Sequence, residues 1–562
     1  MTTAFRFMVF PFRKPLVCPW AFLLAAVSLG AQVAPPDAGE VLRGANMKAP
    51  VPPASPKAGV VPGVSQKPVA DVKGGAIAEV RDIALSGNSV FTSEVLKAVV
   101  ADQLGQTLDL AGMKSLARRL SDFYRERGYP FARAIVPVQE FQDGLLRITI
   151  LEGRYGEIKA AGPEEAARGV GPFLAYLRPG DLLEAVQLER TMLLVDDIPG
   201  VGITPSVSPG AELGTSDLEA TVRMENWYGG DVGVDNAGSR YTGYYRGHVS
   251  WFRNSFGMFG DKLSALVMVT DLSMVLGSLD YEVPIGGRGL RWQFGYAHTT
   301  YELGREYEAL GASGLAKVWS SKLSYPLVRS QKANLNLSVG VQFKDLQDDF
   351  LAAGVREMKS TLSVPVALRF DYRDNLFTGA VSYGMLSCSF GNLSLDDSLT
   401  ATDAASARKA GSYEKVNFDL ARIQSFSRDL TLYARISSQW ATKNLDSSER
   451  LGIGGSEGVR AYPLGEGSGD VGWLGQVELR YGLGDFAPYL LYDIGSNEIN
   501  YRPWDAGSDQ RRNLSGAGFG LRYDHEKWSG NVTMAYRIDG GAPTQDVGVS
   551  HYRLSFSLSR TF

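Results

Sequence analysis

Residues 454–458, Gly-Gly-Ser-Glu-Gly, match the Gly-x-Ser-x-Gly pattern in which a serine acts as a nucleophile. That chemistry needs the serine on a sharp turn from a strand into a helix, and a histidine to take its proton. The sequence holds only four histidines, and residues 454–458 open a loop among segments that alternate like β-strands. We therefore expect a turn at this place, no catalytic residue, and no enzyme.

Patterns for metal, nucleotide and redox sites are also missing from the sequence. It has no His-Glu-x-x-His pair for zinc and no Gly-x-x-x-x-Gly-Lys-Ser/Thr loop for phosphates. Of its two cysteines, Cys18 lies in a segment that we expect to be removed, so Cys388 can form neither an internal disulfide nor a thiolate cluster. We expect no metal and no cofactor.

Charge and hydropathy narrow the class of protein. A net charge of −4 and a pI of about 5.8 argue against a nucleic-acid partner. No run of about 20 apolar residues exists beyond the extreme N-terminus, which excludes a helical membrane protein. The mean hydropathy of −0.10 is still compatible with a membrane β-barrel, because the lipid and lumen faces of its strands alternate. The 64 Gly, 25 Tyr and 25 Phe suit turns and aromatic girdles.

The N-terminal segments have the composition of a leader and a linker. Arg6, Arg13 and Lys14 precede a short apolar run at 20–29, which predicts a secretory signal peptide over residues 1–31. Residues 32–75 are rich in Pro and Ala and predict an extended linker. A short helix is possible between Pro36 and Met47, although the sequence does not identify it as a plug for a pore.

Two α+β units are predicted next, over residues 76–153 and 154–226. In the first, two amphipathic helices follow a strand; Thr92 can cap the first helix, and Asp109 precedes the second. Strands at 132–138 and 145–151 complete the order β-α-α-β-β. The second unit repeats this order, with a helix that is stopped by Pro199 and Gly200.

Residues 227–562 predict a membrane β-barrel, because helical periodicity gives way to alternation of apolar and polar residues. A soluble sandwich shows the same alternation, but here no helix is predicted to cover the apolar face. At about 20 residues for each strand and its connection, the region holds roughly 16 antiparallel strands. The final strand places five apolar residues on one face and looks like the assembly signal of outer-membrane barrels: Tyr552, Leu554, Phe556, Leu558 and Phe562.

Taken together, these segments resemble the outer-membrane transporters of two-partner secretion, which export haemolysins and filamentous haemagglutinins. The resemblance covers residues 77–562, and the β-α-α-β-β units look like the POTRA domains that precede a 16-stranded barrel in that family. Residues 188–201 resemble the helix of the second POTRA domain, and residues 280–286 and 325–330 resemble early barrel strands.

The most specific match is residues 453–463, which look like the family's Val-Arg-Gly-Tyr motif on a loop that folds into the barrel. The matching residues are Gly458, Val459, Arg460, Ala461 and Tyr462, with Ala461 in place of the usual Gly. Asp493 and Gly495 fit a second motif, on a barrel strand. The resemblance implies that Arg460 and Asp493 pair inside the lumen, where a guanidinium can bond a carboxylate through two parallel hydrogen bonds.

The resemblance implies a translocation pore in the bacterial outer membrane, with its N-terminal domains in the periplasm. We expect it to export a dedicated exoprotein without ATP, to capture that client through exposed strand edges of the POTRA-like domains, and to be driven by folding of the client outside. Further expected partners are the barrel-assembly machinery during biogenesis and the lipid bilayer. A barrel-assembly factor of the same superfamily is the alternative; a plain porin or an adhesive barrel would not need these domains and this loop.

Overall fold

The computed structural model describes residues 35–46, 49–54, 77–504, 510–546 and 550–562. The predicted signal peptide lies outside the described residues, as does much of the predicted linker. Within the described residues, no helix combines the length and the apolar character needed to cross a bilayer.

A short helix and a first α+β unit begin the described chain. Helix α1 spans Ala38–Asn46. The unit that follows contains the strands β1 (Ala78–Val80), β2 (Asp82–Ser86) and β3 (Gln106–Leu108), the helices α2 (Ser93–Val99) and α3 (Leu110–Glu126), and the strands β4 (Arg133–Ile135) and β5 (Leu145–Leu151). The side chain of Thr92 caps α2, as expected, and the side chain of Asp109 caps α3. Strands β2, β5 and β4 form a sheet in that order, and its apolar face packs against α3.

Strand β4 is shorter than the predicted strand at 132–138. It ends at Ile135, two residues before Pro137, which has no N–H to donate to a ladder. The backbone of Arg147, on neighbouring β5, instead bonds the side chain of Gln139 at 2.8 Å in both directions. A side-chain amide therefore replaces the missing end of the strand.

The second α+β unit contains β6 (Arg154–Ala161), α4 (Glu164–Leu174), α5 (Ala185–Asp196), β7 (Val201–Pro209) and β8 (Thr215–Met224). Strand β8 lies between β6, to which it is parallel, and β7, to which it is antiparallel. Both helices cover one face of this sheet, where Val170, Leu188, Met192 and Val195 join its apolar residues in one core.

Sixteen antiparallel strands then close into a barrel, as predicted. They are β9 (Tyr228–Asp235), β10 (Arg246–Asn254), β11 (Lys262–Thr270), β12 (Val275–Ile285), β13 (Leu290–Glu302), β14 (Ala312–Arg329), β15 (Ala333–Phe350), β16 (Val355–Asp374), β17 (Ala380–Leu395), β18 (Gly411–Ser425), β19 (Leu430–Ala441), β22 (Val471–Tyr481), β23 (Phe486–Glu498), β24 (Arg511–His525), β25 (Trp528–Asp539) and β26 (Tyr552–Thr561). The two-residue strands β20 (Leu451–Gly452) and β21 (Ser468–Gly469) pair with each other in the loop between β19 and β22.

Alternation along each strand separates the two faces of the barrel wall. On β15, Val339 and Val341 are exposed outward at 44% and 48%, whereas Leu346 and Asp348 are buried against the interior. The sequence predicted no helix in this region, but one short helix, α6 (Asp397–Ala405), stands in the loop after β17. Asp396 caps this helix by accepting a hydrogen bond from the Leu399 N–H. Such a cap is not detected by a search for alternating strand residues.

Strands β26 and β9 close the barrel. Leu558 lies opposite Val234, and the Phe562 N–H donates to the Gly230 carbonyl at 3.0 Å. Phe562 is about half exposed and Leu558 is 42% exposed, both on the outward face, while Phe556 is intermediate. The predicted assembly residues thus lie at the closing seam.

Candidate functional site

The loop between β19 and β22 turns back into the barrel. Its two arms are held together by main-chain hydrogen bonds: the Ile453 N–H donates to Gly467 at 3.1 Å, and the Gly454 N–H donates to Glu466 at 2.9 Å. Ile453, Val459 and Tyr462 are fully buried, so the tip of the loop packs like a core segment. Ser456 lies in this loop and not on a strand-to-helix turn.

Arg460 and Asp493 meet inside the barrel. The Arg460 Nε donates to Asp493 Oδ2 at 2.8 Å, and its Nη2 donates to Oδ1 at 2.7 Å. The Arg460 main-chain N–H also donates to Oδ2, at 3.1 Å. Asp493 is completely buried and Arg460 is 7% exposed, so water cannot replace these bonds easily. This is the bidentate arrangement that a guanidinium and a carboxylate form best.

A second carboxylate, that of Glu478 on β22, also contacts Arg460. The Arg460 Nη1 donates to Glu478 Oε1. The other oxygen of Glu478 pairs with Arg480 at 2.7 Å and with Arg522 at 3.0 Å. Glu478 was visible in the sequence only as one polar residue of an alternating strand, and the sequence did not single it out. Arg480 lies two residues further along the same strand, whereas Arg460 and Arg522 come from the loop and from β24, and the fold of the barrel brings these two to Glu478.

The residues beside Arg460 fix the loop against the strands β24 and β25. The Tyr462 hydroxyl donates to the carbonyls of Asp539 and Gly541 at 2.8 and 3.1 Å. Ala461 does not have a positive φ, so its methyl group causes no backbone strain. A Cβ added to Gly516 would lie 2.7 Å from the Ala461 Cβ. The missing side chain at position 516 therefore makes room for the alanine.

Two glycines of the motifs stand where the backbone is crowded. A Cβ on Gly458 would collide with the carbonyl of Ile453. A Cβ on Gly495 would lie 3.2 Å from the Ile453 Cβ, on the face of β23 that also carries Asp493. Both glycines therefore let the loop lie close to the barrel wall.

Helix α1 occupies the lumen beside this loop. Its buried residues Ala38, Val41, Leu42 and Ala45 join a cluster of inward-facing side chains on β11, β12, β14 and β15, including Met268 and Leu346. The loop contains one short helical turn, Ser447–Glu449, which packs against α1. A small residue lets the two approach, since a Cβ on Gly39 would lie 2.7 Å from the Ser448 N.

Charged groups hold the N-terminal end of α1. Lys359 on β16 pairs with Asp37 at 2.6 Å and with Asp446 of the loop at 2.8 Å. Ser447 donates to Asp37 at 2.6 Å, and the Ala38 N–H donates to Asp348 at 2.8 Å. Lys359 therefore connects the start of α1, the loop and the barrel wall through ion pairs. The sequence did not indicate this cluster, whose members are distant from one another along the chain.

A closed barrel of 16 strands that is preceded by POTRA-type units and filled by its own loop and helix defines an outer-membrane transporter of polypeptides. The chain belongs to the haemolysin secretion/activation protein ShlB/FhaC/HecB family, whose model matches residues 214–523. Residues 78–153 match the ShlB-type POTRA domain. The resemblance seen in the sequence is thereby confirmed, and the chain is a two-partner secretion transporter that exports a partner protein.

Individual relatives agree with this assignment. The heme/hemopexin transporter protein HuxB of Haemophilus influenzae is 26% identical over 487 residues, which are 84% of this chain and 85% of HuxB. The outer membrane transporter CdiB of Escherichia coli is 26% identical over 437 residues, 72% of this chain and 69% of CdiB. The solved structure of CdiB from Escherichia coli has the same fold, with a TM-score of 0.69 at 20% identity over 89% of this chain and 93% of that one.

Proposed function

We propose that this transporter moves a dedicated exoprotein, of the haemolysin or adhesin type, from the periplasm to the cell surface without ATP. The observation that carries the proposal is a lumen closed by two elements of the transporter itself, which polar contacts hold in place. The sequence contains no phosphate-binding loop that could couple ATP to their movement. Folding of the client outside the cell then makes its return unfavourable.

The two closing elements have different roles in this proposal. The loop is anchored by a buried arginine that lies between two buried carboxylates. Separating the arginine from these carboxylates costs several kcal/mol. Helix α1 is shorter than the loop. Its ion pair to the barrel wall lies at its N-terminal end, and near the other end Arg43 donates to Ser468 of the loop. The remaining cavity beside them has a volume of about 630 Å³, room for only a few residues. We infer that α1 leaves the lumen to admit the client and that the loop stays.

Client capture is assigned to the two periplasmic units, but not to every strand edge. Just beyond the two ends of β7, the Gly210 N–H donates to the Thr215 carbonyl and the Glu225 N–H donates to the Gly200 carbonyl. The even-numbered residues of β7 therefore direct their main-chain N–H and C=O groups toward β8. The odd-numbered Pro205 and Pro209 therefore face the free edge, where they offer no N–H to an added strand. This edge is protected against strand addition.

The opposite edge of the same sheet is more suitable. Strand β6 has no proline, and among the described residues the main chain of its second half, residues 157–161, bonds only to β8. Its first half is already covered, since Tyr155 exchanges main-chain hydrogen bonds with Gly180 and Asp181. We propose that an extended segment of the client adds to β6 at residues 157–161.

Biogenesis needs a further partner. We infer that the barrel-assembly machinery inserts this barrel and engages the outward face of β26, with Phe556, Leu558 and Phe562. Those side chains lie beside the seam between β26 and β9.

The client is sought first as a large, signal-bearing exoprotein encoded beside the transporter. The test is export of that exoprotein in a host that lacks both proteins, after the two are expressed together. We expect the exoprotein in the medium only when the transporter is present. Transporter reconstituted in liposomes should translocate the unfolded client without nucleotide. Export that requires ATP, or client that stays periplasmic in the complete system, would contradict the proposal.

A further inference from the structure

A line of polar side chains crosses the periplasmic mouth of the barrel, beginning at the second α+β unit. Asp197, which follows α5, accepts two hydrogen bonds from Arg329 at the end of β14, one from Nε and one from Nη2, both at 2.7 Å. The remaining Nη1 of Arg329 donates to Asn334 Oδ1 at 2.9 Å. One guanidinium thus joins the periplasmic unit to the start of β15.

The line continues to the segment that follows α1. The Asn334 Nδ2 donates to Asp371 Oδ2 at 2.9 Å, and the same oxygen accepts from Arg373 Nη1 at 3.0 Å. The Nη2 of Arg373 donates to the main-chain carbonyl of Ala54 at 2.6 Å. We call Asp197, Arg329, Asn334, Asp371 and Arg373 the mouth relay.

The mouth relay lies beside a cavity and consists of strong hydrogen bonds. It borders a cavity of about 570 Å³ between α5 and the barrel, which Phe173, Leu194 and Pro284 also line. Each hydrogen bond in the relay has a charged group on at least one side, and such bonds are about twice as strong as neutral ones. Arg373 bonds a carbonyl, so it holds the main chain at residue 54 whatever side chain is there.

The geometry points to a coupling between the docked second α+β unit and residues 49–54, which we call the tail of α1, carried by the mouth relay. While Asp197 holds Arg329, the relay keeps Arg373 oriented toward Ala54, and the tail of α1 stays in the barrel mouth. A client that tilts the unit away from the barrel removes Asp197, and Arg373 loses its orientation. Arg329 and Arg373 are thus positioning residues for release of α1. The inference rests on the proposed role of α1 as the element that leaves the lumen.

The test measures departure of α1 without any client. Ala45, on the buried side of α1, is replaced by Cys in full-length transporter that also carries Cys388→Ser. A membrane-impermeant maleimide labels the cysteine only when α1 leaves its site. We expect labelling to be faster by on the order of tenfold in Arg373→Ala and in Arg329→Ala, the effect of losing one charge-assisted hydrogen bond. Heat-modifiable migration on gels verifies that each barrel is folded.

Arg369→Ala is the matched control, since Arg369 lies four residues away on the same face of β16, outside the relay. Arg369→Ala removes the same charge as Arg373→Ala. Its cysteine at position 45 should be labelled as slowly as in the transporter that keeps all its arginines. The double variant Asp197→Ala/Arg373→Ala should label no faster than Arg373→Ala alone, because both changes break one relay. Equal rates for Arg373→Ala and Arg369→Ala would overturn the anchoring of the tail. If the double variant accelerates labelling by the product of the two single effects, the coupling is wrong. Neither result would contradict the proposal that the transporter exports its client.

Discussion

Arg460 binds both oxygens of the Asp493 carboxylate, and its own main-chain N–H bonds the same carboxylate a third time. Loop and strand are therefore fixed in position and in direction. A lysine could satisfy the charge of Asp493 but could not form the two parallel bonds.

The first prediction concerns this pair. Arg460→Ala should reduce secretion strongly while the barrel still inserts, because the strands keep their hydrogen bonds and the loop loses its anchor. Removing one member leaves a buried charge without its partner, which costs about 3–5 kcal/mol. Secretion into the medium and heat-modifiable migration on gels measure the two effects. Asp493→Ala should behave in the same way.

The charge exchange Arg460→Asp/Asp493→Arg tests whether the two residues act together. A true pair gives a double variant less impaired than the sum of the single variants, even if the lost geometry prevents full recovery. Arg428→Ala, in an exposed turn between β18 and β19, is the control and should secrete normally. Normal secretion by Arg460→Ala would show that the loop acts without this anchor.

The second prediction concerns Lys359, which lies between Asp37 and Asp446. Lys359→Met keeps the length of the side chain but leaves both carboxylates without their cation, and like charges then repel α1 from the loop. We expect more frequent channel openings in planar bilayers. Lys317→Met, on the outward face of β14, is the matched control. Unchanged opening in Lys359→Met would mean that apolar packing alone retains α1.

The third prediction concerns Ala461 and Gly516. Gly516→Ala would place a methyl group 2.7 Å from the Ala461 Cβ and 3.0 Å from the Tyr536 carbonyl. Overpacking of this kind costs about 1–3 kcal/mol and should lower both secretion and resistance of the loop to protease. Adding Ala461→Gly should restore part of the loss. If the double variant is no better than Gly516→Ala, the strain lies at Tyr536 and not at the loop.

The fourth prediction concerns acid stability of the first α+β unit. Burial by itself raises the pKa of Glu152, but hydrogen bonds from Ser89, Val90 and Tyr124 outweigh it and hold the pKa below its ordinary value of 4.5. The Val90 N–H and the Tyr124 hydroxyl donate at 2.8 and 2.9 Å. Because the folded pKa is the lower one, Glu152 stabilises the unit fully above about pH 4.5, and this contribution is lost as pH falls through the folded pKa.

Hydrogen exchange of residues 77–153 in the full-length transporter measures this effect. We expect protection to fall below about pH 4.5, and Glu152→Gln to reduce protection at neutral pH while making it less dependent on pH. The cost at neutral pH should be about 1–3 kcal/mol, since the donors lose a charged acceptor. Glu140→Gln is the control. An unchanged pH profile in Glu152→Gln would show that another group sets the acid limit.

Local patterns explain which parts of the fold were predictable. Alternation of period two is a property of a few consecutive residues, so the barrel and its approximate number of strands follow from the sequence. Helix caps such as Thr92 and Asp109 are equally local. Pro137 is an equally local signal for the early end of β4, but the bond of Gln139 to Arg147 that replaces the ladder is not visible in the sequence.

The lumen contents depended on contacts that the sequence does not display. Arg460 and Asp493 were found through motifs, but Glu478 has the same signal as any polar residue of an alternating strand. Helix α1 buries small residues, Ala38, Gly39 and Ala45, which look like linker composition. Its position follows from Lys359 and the loop, and neither is its neighbour along the chain.

The seam between β9 and β26 has a consequence for the order of folding. Phe556 and Asn236 bond each other across it, although they are 320 residues apart in sequence. A ring that joins its first and last segments cannot close until the whole set of strands is present, and bringing such distant segments together is slow. The α+β units contain short-range contacts and can form earlier. Pairing of β26 with β9 is therefore the contact that distinguishes a channel from an open sheet, and it needs both ends of the barrel region.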